Sequence, residues 1–110
     1  MNGITTHVLD TSRGRPAAGV PVTLERLTGA EWTIAAAGRT DDDGRLIALA
    51  GDTAPGTYRL VFDTAAYFRS NGVRAFFPEV TVAFEIDDVS RHYHVPVLLS
   101  PYGYSTYRGS

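Results

Sequence analysis

Cysteine and lysine are both missing from this chain. The first absence excludes disulfide scaffolds, thiolate metal sites and cysteine nucleophiles. The second leaves arginine as all ten basic residues, which excludes Schiff-base chemistry, a pyridoxal-phosphate anchor and the lysine of a phosphate-binding loop. A net charge of -2 supplies no strong positive field for duplex nucleic acid, so none is expected as a partner. No apolar run approaches the ~20 residues that span a bilayer. Met1-Asn2-Gly3 leads straight into a patterned segment, with no basic start, apolar stretch or cleavage site. No membrane partner is expected, and the cytoplasm is the expected address.

The 110 residues suit a single domain, 1–110, able to bury roughly 65% of its unfolded surface. Short β-like segments alternate with turn signals at about the 8 to 12 residue spacing of a sandwich or barrel. Strands are expected over Ile4 to Asp10, Val20 to Leu27, Glu31 to Arg39, Arg45 to Ala50, Thr57 to Asp63, Val80 to Ile86, Arg91 to Leu99 and Gly103 to Arg108. Thr11 to Pro16 and Asp52 to Gly56 read as breaks. Thr64 to Ser70 is the one candidate helix, closed by Asn71-Gly72. The expectation is an all-β, eight-stranded, two-sheet antiparallel sandwich with one short helix.

The last twenty residues, Arg91 to Ser110, hold two of the three histidines and most of the tyrosines. A C-terminus is usually where order fades, so this density suggests a tail in use. Side-chain alternation splits it. Tyr93, Val95, Val97 and Leu99 form a continuous apolar set and belong to the core, leaving His92, His94, Pro96 and Leu98 on the other face. The same logic turns Ile4 and Val8 inward and His7 outward with Leu9. Apolar and titratable residues together on an outer face are what a subunit interface enclosing a pocket would look like. Pro96 requires that its missing donor face an edge or a bulge.

Histidine, with an ordinary pKa of about 6.5, is suited to moving protons near neutrality. His92 and His94 are also spaced to point the same way from one strand, and His7 would complete a three-histidine zinc site. Such strand pairs are common and no acidic residue lies in the same run, so no metal is assigned. Asp41-Asp42-Asp43-Gly44 reads as a hairpin turn rather than a calcium loop, since it lacks the alternating ligands and distant glutamate. Arg45 follows it at a strand entrance. Tyr67, Phe68, Phe76 and Phe77 read as the aromatic packing of the helix on a sheet. No serine has the strand-to-helix elbow that exposes a nucleophile.

Taken together, Thr6-His7-Val8-Leu9-Asp10, Thr40 to Arg45, Ala75-Phe76-Phe77-Pro78-Glu79 and the closing Tyr107-Arg108-Gly109-Ser110 resemble the 5-hydroxyisourate hydrolases, the transthyretin-related enzymes of urate breakdown. The resemblance covers essentially the whole chain, and the terminal four residues are its most specific mark. It implies a transthyretin-like sandwich assembled as a homotetramer, with sites between dimers. It implies that His7, Arg45, His94 and Ser110 are catalytic, with His7, Arg45, Tyr107, Arg108 and Gly109 contacting the substrate, 5-hydroxyisourate. It implies no cofactor. The expected reaction is addition of water to a cyclic amide, giving 2-oxo-4-hydroxy-4-carboxy-5-ureidoimidazoline. The alternative is a transthyretin-style carrier that binds a small ligand without turnover. Alternation leaves open which of His7 and His94 takes the proton, and whether His92 has any role.

Overall fold

The alternating segments settle into β1 (Gly3–Asp10), β2 (Arg15–Pro16), β3 (Pro21–Thr28), β4 (Glu31–Arg39), β5 (Arg45–Leu49) and β6 (Gly56–Phe62). The helix α1 (Thr64–Ser70) follows, and then β7 (Val80–Ile86), β8 (His92–Ser100) and β9 (Gly103–Thr106). The structure, a computed structural model, describes residues 3–49 and 53–110. Ala50, expected to end the fourth strand, and Asp52, expected to begin a turn, lie outside the described residues. Arg15–Pro16, expected as part of a break, is a ninth strand piece paired with Leu9 and Asp10. The final strand stops at Thr106, short of the expected Arg108.

One sheet runs β2-β1-β8-β9, with β5 also paired to β1, and the other runs β4-β3-β6-β7. All neighbours are antiparallel except β1 and β8, which run parallel over Gly3↔His92 to Asp10↔Leu99. The antiparallel expectation misses this pair because hairpin logic governs only strands close in sequence. Strands separated by most of the chain are free to pair either way.

The inward faces are those that alternation assigns. Ile4 and Val8 from β1, Val22 and Leu24 from β3, Tyr58, Leu60 and Phe62 from β6, and Tyr93, Val95, Val97 and Leu99 from β8 are all buried in one core. Pro96 stands in an interior strand rather than at an edge. It lies just past the last β8–β9 pair, Val97↔Thr106, where β9 gives way to unpaired chain, so its missing N–H interrupts no ladder bond there. Its carbonyl accepts from Thr106 Oγ1 at 2.8 Å.

Asp63 caps α1 by accepting from the Ala66 N–H at 3.0 Å, which satisfies one of the donors a helix start leaves free. Tyr67 and Phe68 are the buried face of the helix, packed edge to face at 5.1 Å. Tyr67 reaches across to β1, its hydroxyl donating to Asp10 Oδ2 at 2.7 Å. Asp10 is buried, and its other oxygen accepts from the Ser12 hydroxyl at 2.6 Å and from the Ser12 and Arg13 backbones. Phe76 departs from expectation. Phe76 is 70% exposed, and Phe77 packs edge-on against Tyr104 of β9 at 5.3 Å, while its carbonyl accepts from Thr64 Oγ1 of the helix at 2.9 Å. The reason is backbone: the Phe76 N–H donates to Pro101 O at 2.8 Å, which ties this segment to the β8–β9 turn.

Candidate functional site

Three distant stretches meet on the outer face of the β2-β1-β8-β9 sheet. In the parallel β1–β8 register Thr5 stands opposite His94 and His7 opposite Pro96, while in the antiparallel β1–β5 register Arg45 stands opposite His7 and Ile47 opposite Thr5. Side chains of paired residues share a face, so Thr5, His7, Arg45, Ile47 and His94 project together. Gly109 adds the tail: its N–H donates to His94 O at 2.8 Å and forms an isolated bridge with that residue. A cleft of about 710 Å³ opens here, its lining including Thr5, Arg45, Ile47, His92, His94 and Ser110 together with Arg39 and Asp41.

The turn before β5 is built to present Arg45. Asp41 Oδ1 accepts from the N–H groups of Asp43 and Arg45, both at 2.9 Å, a local side-chain cap that holds the loop closed. Gly44 has φ +76, and a Cβ there would meet Val8 O at 2.3 Å, so only glycine fits. Thr40, buried at the base of the turn, donates to Ala17 O at 2.7 Å and accepts from the Val20 N–H at 2.9 Å. Among the described residues no carboxylate lies within ion-pair distance of Arg45. The guanidinium is thus available to an anionic or developing negative oxygen.

The same turn fixes the state of His7. His7 Nε2 lies 2.9 Å from Asp43 O. A carbonyl only accepts, so Nε2 carries the proton and a neutral ring keeps its lone pair on Nδ1. His7 is half-buried beside the cleft rather than in its wall.

His94 is held differently. Its Nδ1 lies 2.8 Å from Thr5 Oγ1, and His92 Nε2 lies 2.8 Å from the same oxygen. The two imidazoles are nearly parallel, 20° apart with ring centres at 6.2 Å. Burial, with the nearby His92, His7 and Arg45 charges, holds the His94 pKa below the usual histidine value, so the ring is neutral at pH 7. The closest nitrogens of His92 and His94 meet Thr5, and among the described residues no group of three or more His, Asp or Glu side chains is placed to hold a metal ion.

The tail packs tightly over His94. A Cβ at position 109 would come within 2.5 Å of His94 Cδ2 and 3.1 Å of Cγ, so glycine is required for the close approach. Ser110 reaches the main cleft, whereas Tyr107 and Arg108 line a second cavity of about 220 Å³ on the other side of His94. Arg108 stacks over the Tyr93 ring at 4.7 Å, and Tyr107 is 58% exposed.

Of the residues named from sequence, then, Arg45, His94 and Ser110 share the cleft, His7 borders it, Gly109 clasps His94, and Tyr107 and Arg108 face away. Sequence reasoning passed over Thr5, whose parity with His7 was the available signal, and Asp41, which looked like an ordinary turn residue. A neutral imidazole, a second imidazole of fixed tautomer and an unpaired guanidinium around one cleft suit the addition of water to a polarised carbonyl.

A family model described as the HIUase/Transthyretin family matches residues 4–109. The chain is 50% identical over 111 residues to a 5-hydroxyisourate hydrolase of Salmonella dublin, covering 99% of this chain and 82% of that protein. Among solved structures it is similar to the 5-hydroxyisourate hydrolase of Klebsiella pneumoniae, with a TM-score of 0.88, 37% identity and all of both chains covered. It is also similar to sea bream transthyretin in complex with thyroxine, with a TM-score of 0.91 and 33% identity over 96% of this chain and 93% of that one.

Proposed function

We propose that this chain, which belongs to the HIUase/Transthyretin family, hydrolyses 5-hydroxyisourate by histidine-assisted attack of water on its cyclic amide. The observation that carries this reading is the convergence of Arg45, His94 and Ser110 on one cleft, with His7 at its border. Those residues are drawn from β1, β5, β8 and the terminus, and such a gathering of proton-transfer and charge-stabilising groups is what the reaction needs.

In this reading His7 takes the proton from the attacking water through Nδ1, because its Nε2–H is committed to Asp43 O. Water oxygen bonds to the lactam carbon, the carbonyl electrons move onto oxygen, and Arg45 stabilises the charge that develops there. Collapse of the adduct breaks the ring C–N bond, and the departing nitrogen receives the proton that His7 took, giving 2-oxo-4-hydroxy-4-carboxy-5-ureidoimidazoline. His94 lines the same cleft as a neutral ring, and Ser110 closes its rim. Gly109 acts through the placement of His94, while Tyr107 and Arg108, expected to contact the substrate, line the neighbouring cavity. No cofactor enters these steps.

The cleft is open on one side, where Arg45 and Ile47 are exposed, Ile47 at 61%. A second copy laid over this face would enclose the substrate, and the proposal includes a homotetramer with its sites between dimers. A cytoplasmic setting is part of the same proposal; among the described residues no helix is long and apolar enough to cross a membrane.

Stopped-flow ultraviolet spectroscopy on 5-hydroxyisourate made in situ from urate tests this directly. His7→Asn and His94→Asn should each lower the enhancement over spontaneous decay by about 100- to 10,000-fold. Unchanged decay in both variants would refute the assignment, and saturable thyronine binding without turnover would favour a carrier.

A further inference from the structure

Thr5 Oγ1 sits 2.8 Å from His92 Nε2 and 2.8 Å from His94 Nδ1. A hydroxyl gives one proton and can accept two, and among the described residues Thr5 Oγ1 has no other acceptor for its proton, so it donates to one ring and accepts from the other. The three side chains therefore form a wire with two directions. In one, His92 Nε2–H donates to Thr5, Thr5 donates to His94 Nδ1, and the proton of His94 is on Nε2. In the other, each bond reverses, the proton of His94 is on Nδ1, and that of His92 moves to its own Nδ1.

The far end of the wire distinguishes the two. His92 Nδ1 is buried and, among the described residues, has no hydrogen-bond partner. The reversed direction would place an N–H there with nothing to receive it. Buried N–H groups without partners are rarer in folded proteins than unsatisfied acceptors, so the bare nitrogen is the better tenant of that position. The wire then runs from His92 through Thr5 to His94. It needs a neutral His94 ring, which the lowered pKa of that residue supplies.

We propose that Thr5 and His92 are positioning residues that hold His94 in the Nε2–H tautomer, making His94 a hydrogen-bond donor in the cleft. The consequence rests on the hydrolase reading above and deepens it. His7 is set by Asp43 O to offer a lone pair, and His94 is set by Thr5 to offer a proton, so the two histidines take opposite parts. His7 removes the proton from water and returns it to the departing ring nitrogen, while the His94 Nε2–H donates a hydrogen bond to the carbonyl oxygen. His92 biases the pair through a hydroxyl two residues before His7.

Imidazole nitrogen-15 chemical shifts, which distinguish the two tautomers without any substrate, provide the test in the full-length protein at pH 7.5. Wild type should show His94 protonated on Nε2 and His92 protonated on Nε2. Thr5→Val keeps the shape and removes the hydroxyl, and it should redistribute the His94 proton between its nitrogens and lower kcat by about 10- to 100-fold, with KM changed far less. Thr5→Ser restores the hydroxyl and should restore both the tautomer and kcat. His92→Gln retains a donor nitrogen at the Nε2 position and should preserve the His94 tautomer, whereas His92→Leu should not. A His94 proton on Nδ1 in the wild type, or a His94 tautomer unchanged in Thr5→Val, would overturn the proposal. Failure of the wild type to turn over 5-hydroxyisourate would instead overturn the hydrolase reading, and the nitrogen shifts would still decide the wiring.

Discussion

Replacing Gly109 by Ala introduces a single methyl group at the point where the tail crosses His94. Its position is defined by the backbone: 2.5 Å from Cδ2, 3.1 Å from Cγ and 3.3 Å from Cβ of His94. Carbon atoms in ordinary contact stand about 3.5–4.0 Å apart, so ring and tail must separate by roughly 1 Å. Neither yields freely. The ring is held at Nδ1 by Thr5, and the tail is held by the Gly109 N–H bond to His94 O. A tilted ring loses Thr5, and a lifted tail withdraws Ser110 from the cleft. A displacement of about 1 Å at a reacting group costs on the order of 100-fold in rate. Stability should change little, because the contact given up amounts to one backbone hydrogen bond worth about 0.5–1.5 kcal/mol. For a domain of this size that lowers the melting temperature by roughly 4–8 °C at most. Gly109→Ala is therefore expected to be a folded protein with kcat/KM for 5-hydroxyisourate reduced about 10- to 100-fold. Steady-state turnover alongside thermal denaturation checks both halves. Wild-type kcat/KM in the variant would refute the idea that the tail positions His94, and a collapse in melting temperature would show the clasp to be chiefly structural.

Two further outcomes concern pH. Burial first, and then the Asp10 carboxylate beside it, push the Tyr67 hydroxyl up to about 12 from 10.0. A raised folded-state pKa contributes stability that is present below about 10 and lost as pH rises toward 12, of order 2–3 kcal/mol for a two-unit shift. Denaturant titrations of wild type across that window should show the decline, and Tyr67→Phe should lack it. Burial and the surrounding positive charges lower the His94 pKa from 6.5, so the linked stability is complete above about 6.5 and is lost as pH falls through the lowered value. Following the His94 ring proton shifts should give a midpoint below 6.5; a midpoint above it would contradict the burial argument.

Much of the fold was legible because β-structure writes itself in a period of two. Ile4 and Val8, Val22 and Leu24, Tyr93 and Val97 declare a buried face without reference to any partner strand, and the structure buries every one of them. Asp63 and Asn71-Gly72 bracket the helix by local chemistry, and its bounds, Thr64–Ser70, agree with the reading from sequence. Phe76 stands exposed because an aromatic cluster says only that it will pack, and the Pro101 carbonyl ties its N–H to the β8–β9 turn.

The sequence by itself determined the chemistry this protein has available and the face on which it stands. With no cysteine and no lysine, the groups left for proton transfer are three histidines, twelve carboxylates and hydroxyls, and every basic side chain is arginine, while alternation alone sets His7 and His94 outside the core. Tertiary structure decided everything that depends on which strands are neighbours. The parallel pairing of β1 with β8 brings Thr5 to His94 across 89 positions of chain. No periodicity encodes a contact of that range, because periodicity describes one strand and not its partner. The direction in which a proton rests on His94 depends on a hydroxyl from β1 and a nitrogen of His92 with no partner among the described residues, and the ring is held in place by a glycine at the chain's end. Those three meet only once the sandwich has closed.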